Sequence, residues 1–204
     1  MYPKTIQDII KVLSKLTGVG SKSAQRMALQ LYQSISKDQV DLLANSLLKL
    51  KTHISYCPQC NNLVEDANLC SVCQNASLGK RDSQTIMILR EPKDLYTIEE
   101  TNKYYGLYHL TMGLIDFSRG KKESDIMTKA LFERVKNAPV KEVIIALDTT
   151  IEGELTASFL KKSLLVINPT LNITRISYGI PLNIDLKYID TNTLIMSIEK
   201  RIKY

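Results

Sequence analysis

What this chain of 204 residues lacks narrows its class before any motif is read. No apolar run approaches the roughly 20 residues that a spanning helix needs. The first residues, MYPKTIQDII, hold no apolar block of the kind that opens a secretion signal. A soluble, intracellular protein with no membrane partner is therefore expected. Cations are absent from residues 56–79, which carry only Glu65 and Asp66, and cysteine is absent outside residues 57–73. Apolar residues, by contrast, are not scarce. At 44% hydrophobic and 24% charged, the chain sits close to globular averages, which excludes disorder along most of its length. One domain or two small ones would fit the length.

The formal net charge is +6, and residues 1–55 contribute most of it, with eight basic side chains against three acidic ones. A basic front suits a polyanion such as nucleic acid, although plus-charged solvated helices give the same count.

The four cysteines read C-x2-C-x9-C-x2-C: Cys57, Cys60, Cys70 and Cys73. Two close pairs on tight knuckles can bring four thiolates to the corners of a tetrahedron about 2.3 Å from a zinc ion. Disulfides or unpaired thiols are the alternatives, but a chain without a secretion signal meets a reducing compartment, where disulfides are rare. One structural Zn2+ per chain is expected, with no open coordination position and no catalysis. The intervening NNLVEDANL serves to close the site. The segment is too short to bury a core of its own, so the metal is expected to hold it folded.

Upstream, Ile6, Ile9, Ile10, Leu13 and Leu16 recur at helical spacing, as do Ala24, Met27, Ala28 and Leu31, and residues 38–54 read as a third helix. Between the first two lies LTGVGSKS, where Gly18 and Gly20 permit a tight turn. Such a turn leaves backbone N–H groups at a helix N-terminus free to meet a phosphate, with Lys22 and Arg26 one turn apart on the same side. This is helix-hairpin-helix geometry, and with the basic bias it favours DNA-backbone binding by Gly18, Gly20, Lys22 and Arg26. An ordinary connection between packed helices is the plainer reading.

Beyond the cysteines, short apolar runs at Thr85–Leu89, Tyr108–Leu110 and Val143–Ala146 alternate with helical stretches at about 94–104 and 125–136. The pattern argues for βαβ units and a sheet with helices packed on it. Ligands gather at the carboxyl ends of such strands. The last run delivers Asp148, Glu152 and Glu154 to that edge, where they could hold Mg2+ or simply sit in the first turn of a helix. Tyr104, Tyr105 and Tyr108 suggest a tyrosine nucleophile, but tyrosines flanking a buried strand are more often packing residues with a wet hydroxyl.

In order along nearly the whole chain, LTGVGSKSAQRMA, the four-cysteine segment, REPKD, YGLYHL, ALDTTIEGELTA and ISYGIPLNIDLKYID resemble the RecR family of bacterial recombination mediators. The resemblance implies an α+β multidomain protein: a helix-hairpin-helix region over 1–54, a four-cysteine zinc finger over 55–78, an α/β Toprim domain over 79–176 and a C-terminal assembly segment over 177–204. Toprim enzymes hold Mg2+ through a strand glutamate and a D-x-D. Here Asp148 matches the first aspartate, while Thr150 stands in place of the second and Arg90 in place of the glutamate. Mg2+ binding is expected to be weak or absent, and with it nuclease, topoisomerase or primase activity. The resemblance further implies that Asp148, Glu152 and Glu154 contact the partner RecO, and that the C-terminal segment joins protomers into a homo-oligomeric ring around DNA. Asn183 and Ile184 replace glycines usual after the proline, which questions the turn there. The divergent 116–122 loop, with Arg119, Lys121 and Lys122, is expected to be solvated.

The function expected from all this is noncatalytic. Acting with RecO, and with RecF as a further partner, the protein would promote RecA loading on gapped or single-stranded DNA in the bacterial cytoplasm, at the nucleoid. A metal-dependent Toprim enzyme that processes DNA is the alternative, and a zinc-stabilised scaffold that touches only proteins is a third.

Overall fold

The computed structural model describes residues 2–177 and 179–201. The chain divides into two compact units, Met1–Ile54 and Ser55–Tyr204. The first is three helices: α1 (Lys4–Leu13), α2 (Ser21–Gln33) and α3 (Lys37–Thr52). The isoleucine stripe of α1 meets α2, where Ala24 and Ala28 bury completely because small side chains let two helices approach closely. The turn between them needs Gly18, whose φ of +82° lies in the left-handed region that costs a side-chain-bearing residue energy. Helix α3 starts on a reciprocal capping box between Ser36 and Gln39. None of its residues is buried, and an apolar groove of about 770 Å3 runs between Ile9, Val12, Leu31, Val40, Leu43 and Leu47.

The second unit opens with a two-stranded sheet, β1 (Ile54–Tyr56) and β2 (Leu63–Glu65), and a short helix α4 (Ser71–Ser77). A four-stranded sheet follows: β3 (Thr85–Leu89), β4 (Leu107–Leu110), β5 (Glu142–Ile145) and β6 (Asn172–Arg175). Helices α5 (Pro92–Glu100), α6 (Lys129–Asn137) and α7 (Ile151–Ile167) are interleaved with its strands. The strand order is β4-β3-β5-β6, with every pairing parallel. The α8 helix (Thr191–Glu199) closes the described chain.

Strand alternation divides the core in two. Ile86, Ile88, Val143 and Ile145 face Leu131 and Val135 of α6 and Leu160 and Leu164 of α7. Met87, Leu89, Tyr108 and Leu110 point the other way, into a cluster with Leu95 of α5, Val64, Val72 and all four cysteines. The cysteine segment therefore shares the sheet's core, and its intervening loop does more than close a site, since Val64 on β2 is buried. Along the outer edge of β4, Leu110 N–H donates to Cys60 O at 2.8 Å and Asn61 Nδ2 donates to Leu110 O at 2.7 Å. Arg134 of α6 donates to Tyr108 O at 2.8 Å and to Gln59 O at 3.2 Å.

Two helix boundaries differ from the sequence expectation. Helix α5 ends at Glu100 because Asn102 turns to φ +53°. Helix α6 begins at Lys129, since Glu123–Asp125 forms its own 3-10 turn, Ile126 is extended and Met127 N–H bonds to Thr111 O at 2.9 Å. At the C-terminal end Asn183 takes the left-handed φ of 62° that a glycine would accept freely, so the turn after Pro181 forms without one. The last residues of the expected assembly segment, 202–204, lie outside the described residues.

Candidate nucleic-acid interface, metal centre and Toprim cleft

In the first unit, α2 begins at Ser21 with Gly20 as its cap, and Gly20 O accepts from Ala24 N–H. No side chain caps this helix, and its first turn holds no acidic residue, so its leading N–H groups are left for an incoming acceptor. Lys22 and Arg26 line one shallow hollow, together with Gln25, Gln30 and Gln33. None of the residues lining it is acidic, so none competes with an incoming phosphate for that charge.

The cysteines converge. Their four Sγ atoms lie within 4.8 Å of one another, and Cys60 and Cys70 are 3.4 Å apart, close to the roughly 3.8 Å edge of a tetrathiolate zinc tetrahedron. Hydrogen bonds from Cys60, then Cys73, hold the Cys70 thiol down at about 2, while the hydrogen bond to Cys70 pushes Cys60 up. The donor set fits a metal ion.

The third site lies where the sheet order switches direction, at the carboxyl ends of β3 and β5. Strand β3 delivers Arg90 and Glu91, and β5 delivers Asp148. Together with Met112, Asp116, Arg119, Lys121, Thr150 and Glu152 they line a cleft of about 490 Å3. Arg90 bridges the two strands: Nη1 pairs with Asp148 Oδ2, and Nη2 with Glu91 Oε1 at 2.7 Å. Hydrogen bonds from Lys93 first, then Arg90, hold the Glu91 carboxyl below its ordinary range, and the bond to Glu91 raises Arg90. Thr150 caps α7 by accepting from Gly153 N–H at 3.2 Å. Gly153 is required, because a Cβ there would stand 1.9 Å from the Asp148 carbonyl.

The three carboxylates singled out in the sequence are not brought together. Asp148 and Glu152 share the cleft, but Glu154 lines a smaller hollow with Lys161 and Arg175 and receives a bidentate pair from Arg175, at 2.8 and 3.0 Å. Glu152 makes no ion pair among the described residues. The tyrosines are structural, with one difference from expectation: the Tyr108 hydroxyl is not wet but donates to Glu99 at 2.6 Å, beside the Arg81–Glu99 pair. Tyr104 donates to Leu107 O at 2.9 Å, and Tyr105 is exposed. Sequence reasoning missed His109, which is fully buried and donates from Nε2 to Met127 O at 2.7 Å. Burial pushes its pKa down to about 4. It also missed the struts Asn61, Arg134 and Arg175, whose partners lie far along the chain.

A helix-hairpin-helix, a four-cysteine cluster and a Toprim sheet in one chain define a class of recombination-repair proteins. Residues 84–177 match the family described as Toprim domain, and residues 6–50 the family described as RecR, helix-hairpin-helix. The chain is 38% identical over 200 residues to the Recombination protein RecR of Clostridium perfringens, covering 98% of this chain and 97% of that protein. To the proteins of the same name from Phytoplasma mali and Ligilactobacillus salivarius it is 37% identical. The first match covers 97% of this chain and 94% of the relative, the second 98% of each. The chain belongs to the RecR family. It is a recombination-repair protein with a Toprim domain, and among its described residues no helix is long and apolar enough to cross a membrane.

Proposed function

We propose that the protein is a noncatalytic DNA-binding mediator that acts with RecO, and with RecF as a further partner, to promote RecA loading on gapped or single-stranded DNA. The observation that carries this reading is Arg90. Phosphoryl transfer needs metal and positioned charge around the reacting phosphate. At the cleft where that charge would gather, a guanidinium ties up Asp148, and Thr150 is committed to capping α7. Cys57, Cys60, Cys70 and Cys73 would hold a structural Zn2+. Gly18, Gly20, Lys22 and Arg26 form the DNA contact within 1–54. The remaining divisions are the finger over 55–78, the Toprim domain over 79–176 and the assembly segment over 177–204. Exposed apolar side chains on α3 and at Leu182, Leu186 and Ile198 support a homo-oligomeric ring. The place of action is the bacterial cytoplasm, at the nucleoid.

Of the three partner-contact candidates, Glu152 is the carboxylate available to a basic surface on RecO, since Asp148 and Glu154 are each held by an arginine of the same chain. The test incubates zinc-loaded protein with a labelled gapped duplex and Mg2+, then divides the sample between native and denaturing gels. A retarded band with uncut strands is expected, and cleaved or protein-linked strands would establish the enzyme reading instead. Glu152→Lys should abolish RecO capture while leaving the DNA shift unchanged. Undiminished capture would remove the RecO contact from this cleft.

A further inference from the structure

We propose that Arg90 is the resident cation of the Toprim cleft: its guanidinium holds Asp148 and Glu91 together as a bound divalent ion otherwise would, keeping the acidic edge in shape without metal. The inference deepens the noncatalytic reading and rests on it. Two adjacent parallel strands, β3 and β5, end side by side, Ile88 opposite Ile145, and so bring an arginine just past one and an aspartate just past the other to within a residue of the same level. Four carboxylates line the cleft: Glu91, Asp116, Asp148 and Glu152. Unpartnered, they would repel one another. Asp116 has its own cation in Arg119, at 3.4 Å, and Glu91 also receives Lys93 at 2.5 Å. Among the described residues, Arg90 is the cation that spans the gap between the two strands.

A guanidinium suits this job because its planar fork can meet two carboxylates at once, and it stays charged at any physiological pH. The side chains of Arg90, Glu91 and Asp148 are each about one-third exposed, so the cluster is partly withdrawn from water and its charges are not fully screened. Mg2+ needs near-octahedral oxygen ligands at about 2.0–2.1 Å. The Arg90 nitrogens already bond Asp148 Oδ2 and Glu91 Oε1, so a divalent ion drawing on those oxygens would have to displace a covalently tethered cation and then sit beside it. Of the four carboxylates, Glu152 is the one that makes no ion pair among the described residues.

Mn2+ is the probe, added to full-length zinc-loaded protein and followed by the electron paramagnetic resonance of the free ion. The wild type should leave Mn2+ free, and Arg90→Glu should take up one ion at least about tenfold more tightly than the wild type takes up any. The thermal midpoint supplies a second readout. Added Mg2+ should leave the wild type unmoved, whereas Arg90→Glu should melt earlier than the wild type and recover with the ion, as linkage requires. Should Arg90→Glu fail to fold, Arg90→Gln should show the same gain at smaller size. Stoichiometric Mn2+ uptake by the wild type, or a folded variant that takes up no more than the wild type, would overturn the inference. The mediator reading is tested separately by the wild type's gel shift in buffer without Mg2+. Loss of that shift would strike the DNA role and leave Arg90's role standing, while Mn2+ uptake by the wild type would do the reverse.

Discussion

The two units of this chain solve the problem of stability differently. In Ser55–Tyr204 a parallel sheet is covered on both faces by helices and the cysteine cluster, and large side chains such as Tyr108, Leu131 and Leu160 are wholly withdrawn from water. In Met1–Ile54 the two residues buried among those described are alanines, and Leu42, Leu47 and Leu48 stand in solvent. Burial of apolar area is the main favourable term in folding. The second unit therefore carries its own stability, while the first presents a surface that gains from being covered. Covering Leu42, Leu47 and Leu48 would add apolar burial that this unit lacks on its own.

The sharpest way to break the contrast is to strip any metal ion that the four-cysteine cluster would hold. Structural zinc sites of this type carry on the order of 10 kcal/mol of apparent binding free energy, so chelation should collapse the second unit's thermal transition and re-added zinc should restore it. A transition indifferent to chelation would place the unit's stability in the sheet core alone. Next in size, Leu160→Ala removes a fully buried side chain. It should cost about 2–5 kcal/mol, or several degrees in Tm at about 2–4 °C per kcal/mol for a chain of this size. Leu48→Ala, at a side chain 71% exposed, should shift stability by no more than about 0.5 kcal/mol. It should, however, weaken self-association in sedimentation, and a large loss of stability would mean that the first unit has a core after all. Replacing Lys22 and Arg26 together by Gln should leave melting unchanged and reduce the salt slope of duplex binding by about two units, at about 0.9 per phosphate contact. An unaltered slope would clear both residues.

The smallest effect is a pH effect confined to the second unit. Hydrogen bonds from Arg81 first, against the opposing effect of burial, hold the Glu99 carboxyl below its ordinary 4.5. A carboxylate depressed in the folded state stabilises it above the unfolded value, and that contribution is lost as pH falls through the folded one. Urea unfolding of the wild type should therefore weaken below about pH 4.5, and Glu99→Gln should flatten that part of the profile. An acid limb unchanged in the variant would assign it to other carboxylates.

Much of the architecture was legible because its signals are local. The cysteine spacing, the Gly18 turn and the apolar run of β3 each act within a few residues. What escaped depends on partners distant in sequence. Arg90 and Asp148 lie 58 positions apart and Glu154 and Arg175 lie 21 apart, so an acidic trio that looks continuous along the chain is divided by two arginines in space. Helix α6 starts later than its apolar spacing suggests for a related reason: Ile126 and Leu131 suit a helix, but Met127 is drawn to Thr111 across the fold. His109 left no sequence signal, because a neutral buried histidine differs from an exposed one only in its surroundings.

The cysteine segment also guards an edge. Strand β4 is an edge of its sheet, and at Leu110 and Tyr108 its outward backbone groups are taken up by Cys60, Asn61 and the Arg134 guanidinium. Bare strand edges recruit other strands, from the same protein or a neighbour. A newly made chain whose cysteine segment is not yet folded would leave the Leu110 groups unclaimed and available to its siblings. The four-cysteine segment thus doubles as a cover for that edge, and whatever holds it folded also shields β4 from neighbouring chains.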